Sequence, residues 1–242
     1  MKRLMGEGGS QKRAERVARA IEDRIIELGW PVGHLIGSEP SLMAEYDASR
    51  GVLREAVRLL EHHGTARMRR GPGGGLVVEE PSAHAVRRSA SLLLQYQRTD
   101  LASLVDARRA LELTCFDIVA ERFHDPHLSG RLLAAVQVDK ALEHAADLGF
   151  HCTLIRLTGN KALGLFAQTL IEMHGEAISP LGAPQDPEFV LLDPSTCRKE
   201  HSAIYDALAR GERLVARGRL EQHLGEIAQA SLAPGRSGQM MA

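Results

Sequence analysis

"SEPSLMAEYDASRGVLREAVRLLEHHG", residues 38–64, decides how the first third of the chain folds. Ser38 and Ser49 each stand where a side-chain oxygen caps a helix start, and Gly64 stands where a left-handed residue closes one. Between Ser49 and Gly64, Leu53, Ala56, Val57 and Leu60 recur at i, i+3, i+4 and i+7, a stripe that faces a core. Arg50, Arg54 and Arg58 recur at i, i+4 and i+8, so they form a basic line on another face. Working outward, "ERVARAIEDRIIELG" (15–29) places Val17, Ile21, Ile25 and Leu28 at helical spacing before Gly29, with residues 1–10 expected as a disordered leader. On the other side, "TARMRRGPGGGLVVEE" (65–80) has a Pro/Gly turn between two short runs, which is a hairpin pattern.

The expected order is therefore three helices and a hairpin within residues 1–80, then a polar linker over 81–86. Residues 87–234 carry a helical pattern, with breaks near Asp125–Pro126, Gly159–Asn160, "SPLGAPQDPEF" (179–189) and Gly211, and residues 235–242 are expected as a disordered tail. The fold class is mainly α: an N-terminal winged helix-turn-helix followed by an all-helical bundle.

Composition narrows the function. At 242 residues with 44% hydrophobic and 25% charged side chains, the chain suits one large or two ordinary globular domains. The basic N-terminus has no apolar run behind it, and no stretch approaches the roughly 18 apolar residues of a membrane span. Three widely separated cysteines without a CxxC pair fit reduced thiols, so the expected location is cytoplasmic. The net charge of −1 gives no global sign of a nucleic-acid partner. Local charge does: Arg50, Arg54, Arg58, Arg67, Arg69 and Arg70 face only Glu55 and Glu61 between residues 50 and 70. A helix-turn-helix sets the start of its second helix on base edges while flanking elements touch phosphate, and Arg suits both tasks.

The layout of residues 38–64 followed by "RRGPGGGLVV" (69–78) resembles the winged helix-turn-helix of the GntR superfamily of bacterial transcription regulators. The resemblance implies DNA contacts from Ser49, Arg50 and Arg54, with Gly51 and Val52 near the bases and Arg70 and Gly71 at the wing tip. Two departures stand out. Pro40 follows Glu39 where the family usually has Arg, and Gly51 replaces a small hydroxyl residue, which implies an altered operator preference. "GPGGG" lacks a following Lys-Ser/Thr and opens no helix, so it is a turn and not a phosphate loop.

A second pattern lies in "DLGFH" (147–151). Asp147 and His151 share one face of a helix, provided Gly149 does not break it, and the apolar run Phe150, Leu154, Ile155, Leu157 argues for continuity. His201 and His223 lie ten residues before and twelve after Gly211, about 15 Å and 18 Å from a hairpin turn at 1.5 Å per residue, hence nearly level. Both sit among apolar residues at helical spacing. Three histidines and an Asp make a ligand set suited to a divalent metal, Zn or Ni first, with Mn and Fe also accommodated. The remaining histidines, His174 among them, lack ligand-like spacing and are expected at the surface or at helix ends.

"DARRALELTCFDIVAER" (106–122), "DLGFHCTLIRLTGN" (147–160), "HSAIYDALARGE" (201–212) and "ARGRLEQHL" (216–224) resemble the effector-binding domain of FadR-type members of the same superfamily. The resemblance implies Asp147, His151, His201 and His223 as metal ligands, and Arg108 as a partner for a carboxylate effector. It points to a repressor that binds a palindromic double-stranded operator as a homodimer, responds to a small acidic metabolite, and has no membrane association. A metallohydrolase is the rival reading, but there is no HExxH and no second carboxylate placed as a base. A structural protein whose helical part only mediates contacts is the third.

Overall fold

The computed structural model describes the backbone of residues 4–141, 146–178 and 192–233, and the side chains of residues 9–138, 148–178 and 192–233. The chain divides into two compact units, Met1–Ala85 and Val86–Ala242.

The first unit contains α1 (Leu4–Glu27), β1 (Leu35–Gly37), α2 (Glu39–Glu45), α3 (Arg50–His63), β2 (Ala66–Arg69) and β3 (Gly75–Val78). Each short helix begins where its cap allows. Ser38 accepts from the Ser41 N–H at the start of α2, and Ser49 accepts from the Val52 N–H at the start of α3. Gly64, at φ +69°, closes α3 in the left-handed conformation. Buried Ile21 and Ile25 of α1, Leu42 of α2 and Leu53, Ala56 and Leu60 of α3 meet Leu76 of β3 in one core. The strands form an antiparallel sheet in the order β1-β3-β2, with Met68 opposite Leu76 and Arg69 opposite Gly75. A Cβ on Gly75 would lie 2.4 Å from the Gly37 carbonyl oxygen, so glycine there lets β1 and β3 close.

Three details differ from the sequence reading. The backbone is helical from Leu4, so α1 begins within the stretch expected to be disordered; adding a residue to an established helix gains one hydrogen bond without a new nucleation step. Leu28 is exposed, because α1 ends at Glu27 and leaves the apolar stripe before that position. Strand β1 was not expected; three residues are too few to show an alternation.

The second unit is helical among the described residues: α4 (His84–Tyr96), α5 (Leu101–Glu121), α6 (Pro126–Ala141), α7 (Ala146–Leu157), α8 (Lys161–Ile178), α9 (Pro194–Ala209) and α10 (Arg213–Ser231). Helix α7 continues through Gly149, as the apolar run requires. Gly211, at φ +77°, turns α9 back into α10. The expected break at 179–189 and the tail at 235–242 lie outside the described residues. Phe116 and Val119 of α5, Leu132 of α6, Phe150 and Leu154 of α7, Ile204 of α9 and Leu220 and Leu224 of α10 share one core.

Phe150 is fully buried and stacks on the His201 ring at 4.2 Å between centroids. Phe150→Ala is expected to destabilise the helical unit by about 3–5 kcal/mol. Urea unfolding followed by circular dichroism checks this as a shift of that unit's transition.

Candidate functional site

His151 on α7, His201 on α9 and His223 on α10 are all buried and converge. The His151 and His223 Nε2 atoms are 3.4 Å apart, and those of His201 and His223 are 3.2 Å apart. The three ligand atoms lie within 4.8 Å of one another. Metal–nitrogen bonds of about 2.1 Å place neighbouring ligand nitrogens roughly 3.0–3.4 Å apart at octahedral or tetrahedral angles, so the donor set fits a divalent ion. The electrostatics agree. Imidazole nitrogens directed at one point in an apolar interior repel unless a cation or shared protons lie between them.

Glu112 of α5 fixes which nitrogen of His151 faces the centre. Its carboxylate accepts from His151 Nδ1 at 2.5 Å, which assigns the proton to Nδ1 and leaves Nε2 with its lone pair inward. Burial alone would raise the Glu112 pKa, but the Arg108 guanidinium and the hydrogen bonds from His151 and Arg108 outweigh it and hold it below the usual carboxylate range. Glu112 is therefore a carboxylate at neutral pH.

The network continues away from the centre. Arg108 Nε donates to Glu112 at 2.6 Å, and Arg108 Nη1 donates to His174 Nδ1 at 2.6 Å. His174 Nε2 then donates to Ser231 Oγ at 2.8 Å, whose hydroxyl donates to the Ile227 carbonyl at 2.7 Å. Arg108 is buried, yet its Nη2 has no hydrogen-bond partner among the described residues. Such an orphaned donor carries a desolvation cost that an incoming carboxylate relieves.

Two residues correct the sequence reading. His174 is fully buried beside Arg108 and is neither a surface nor a capping residue. Its position was legible, since Ala167, Ile171 and His174 fall at i, i+4 and i+7 on the buried face of α8. Glu112 lies within the family-like stretch 106–122, and its hold on His151 depends on α5 packing against α7. Asp147 belongs to α7, but its side chain lies outside the described residues, as does His144. A cavity of about 330 Å³ lies by the α9–α10 turn, against Phe123, His124, Tyr205 and Arg213, and includes none of the three histidines.

In the first unit, Arg50 and Arg54 project from the start of α3 with their side chains largely exposed. Gly51 is exposed, whereas Val52 is buried and its N–H is capped by Ser49, so Val52 shapes the helix start from within. Arg70 and Gly71 are exposed between β2 and β3, and Arg69 donates to the Gly73 carbonyl across the turn. Arg58 pairs with Glu55 on the surface.

Comparison with known proteins matches residues 13–76 to the model described as bacterial regulatory proteins, gntR family, and residues 103–226 to the FCD domain. An uncharacterized HTH-type transcriptional regulator of Mycobacterium tuberculosis is 29% identical over 225 residues, spanning 90% of this chain and 89% of its own. The Uxu operon transcriptional regulator of Escherichia coli is 27% identical over 244 residues, spanning 92% and 88%. A solved structure described as Streptococcus agalactiae GntR superposes with a TM-score of 0.63 at 22% identity, covering 89% of this chain and 99% of that one, which shows a shared fold.

Glu112→Gln removes the charge that holds His151. Calorimetric titration with Zn²⁺ is expected to read an affinity about 10–100-fold weaker than that of the unaltered protein.

Proposed function

From the premise that the chain belongs to the GntR family of bacterial regulatory proteins and carries an FCD domain, we propose that it represses transcription as a homodimer on a palindromic operator. A small carboxylate metabolite, bound at a metal-containing pocket in the helical unit, controls its grip on that operator. The observation that carries this reading is the convergence of His151, His201 and His223 beside a buried Arg108 with one donor to spare.

His151, His201 and His223 are the ligands, with Asp147 as the fourth on the strength of its family position. The ion is a divalent cation, Zn or Ni first, since imidazole and carboxylate suit both. When bound, it supplies a coordination position for an effector oxygen. Arg108 directs Nη2 to a carboxylate on the effector, while Nε and Nη1 stay with Glu112 and His174. Glu112 orients His151, and the Phe150 ring covers His201. These roles are binding roles, in keeping with relatives that are transcriptional regulators.

On the operator, Ser49, Arg50, Gly51 and Arg54 form the recognition-helix contacts, with Val52 holding the start of that helix near the bases from within, and Arg70 and Gly71 form the wing contact. One winged helix reads one half-site, so two copies are required for a palindrome, with centres about 34 Å apart. An effector that binds one state of the dimer better shifts its operator affinity by the same coupling free energy with which the operator shifts effector affinity.

Two outcomes are expected. Arg50→Ala and Arg54→Ala each weaken binding to a duplex selected by the unaltered protein by about tenfold, measured by fluorescence anisotropy, with metal content unchanged. His201→Ala keeps duplex binding but loses metal, read by native mass spectrometry, and no longer releases the duplex when a panel of small carboxylates is added. Undiminished release by a metal-free His201→Ala protein would contradict the pocket assignment.

A further inference from the structure

Glu39 opens α2 in the first unit, directly after the capping Ser38 and directly before Pro40. Its Oε1 lies 3.5 Å from Arg50 Nε and 3.7 Å from Arg54 Nε. The same oxygen is buried and makes no hydrogen bond among the described residues. A buried carboxylate oxygen thus lies within 4 Å of the Nε atoms of two arginines. Both arginines approach it by Nε, and both side chains are otherwise largely exposed.

That arrangement matters for recognition. The fork that pairs with guanine O6 and N7 needs two donors presented together at a fixed angle. Arg50 and Arg54 stand at i and i+4 on one helix face, where like charges repel and spread the side chains. An exposed Arg also samples many rotamers, and freezing them on contact lowers affinity. A carboxylate between the two Nε groups offsets the repulsion and limits the rotamers before DNA arrives. Ser38 and Pro40 fix the backbone from which Glu39 reaches.

We infer that Glu39 is a positioning residue of the DNA interface, setting the forks of Arg50 and Arg54 for base edges and thereby raising sequence discrimination more than affinity. This rests on the DNA-binding reading of α3 proposed above. A carboxylate near phosphate opposes binding to DNA of any sequence, so its electrostatic contribution to bulk affinity is unfavourable. Its benefit is confined to the sequence that accepts both forks.

The test uses the full chain and a duplex that the unaltered protein selects from a randomised pool, compared with a scrambled duplex of equal composition. Anisotropy titrations across a salt series give the selected-to-scrambled affinity ratio. Glu39→Gln is expected to lower that ratio about tenfold, the order of one good fork contact, while binding to the scrambled duplex holds or tightens. Glu45→Gln is the control, because Glu45 ends the same helix and pairs with Arg24 of α1 instead. It is expected to keep the ratio of the unaltered protein. An unchanged ratio for Glu39→Gln, or an equal fall for Glu45→Gln, would overturn the inference. Failure to select any duplex, or undiminished binding by both Arg50→Ala and Arg54→Ala, would instead remove the underlying DNA-binding reading.

Discussion

Three imidazole nitrogens directed at one another in the interior of a helical unit impose the constraint on which the proposed function rests. Such lone pairs are stable together only around positive charge. The surrounding residues are arranged accordingly: Glu112 pins the His151 proton on the outer nitrogen, and Phe150 stacks on His201. Because the three histidines come from α7, α9 and α10, whatever occupies the centre ties three helices together.

Behind that centre, Arg108 has a dual character. It balances the buried Glu112 charge and orders His174 and Ser231, yet one of its donors is unsatisfied. A buried ion pair stripped of one partner is strongly destabilised, so Glu112 and His174 keep Arg108 in place whether or not an effector is present. The Nη2 edge is thereby held in place, so a carboxylate bound as proposed would meet a side chain that is already ordered. The first unit repeats the principle on its surface, where Glu39 stands between Arg50 and Arg54.

How much of this was legible depended on whether the signal was local. Ser38, Ser49 and Gly64 mark α2 and α3 because capping is a short-range hydrogen-bonding problem, and the glycine-rich hairpin is equally local. His201 and His223 were placed level because helix rise and one Gly turn fix their heights. The apolar run through Phe150 carried α7 past Gly149. What escaped was set by tertiary packing. Three-residue β1 exists only because β3 offers it a partner. Glu112 and His174 gain their roles from helices 39 and 66 residues away in sequence. Val52, expected near bases, has the spacing of a core residue as well as the position of a contact residue, and its side chain packs inward.

The most direct test of the central claim is metal stoichiometry in the intact protein. The purified full chain, stripped with a chelator and resupplied with Zn²⁺ or Ni²⁺, is to be weighed by native mass spectrometry with its helical content monitored in parallel. One ion per chain, retained through buffer exchange, is the expected result. A chain that keeps its helical content yet takes up no ion from either solution would contradict it, and would leave effector recognition to Arg108 and its neighbours alone.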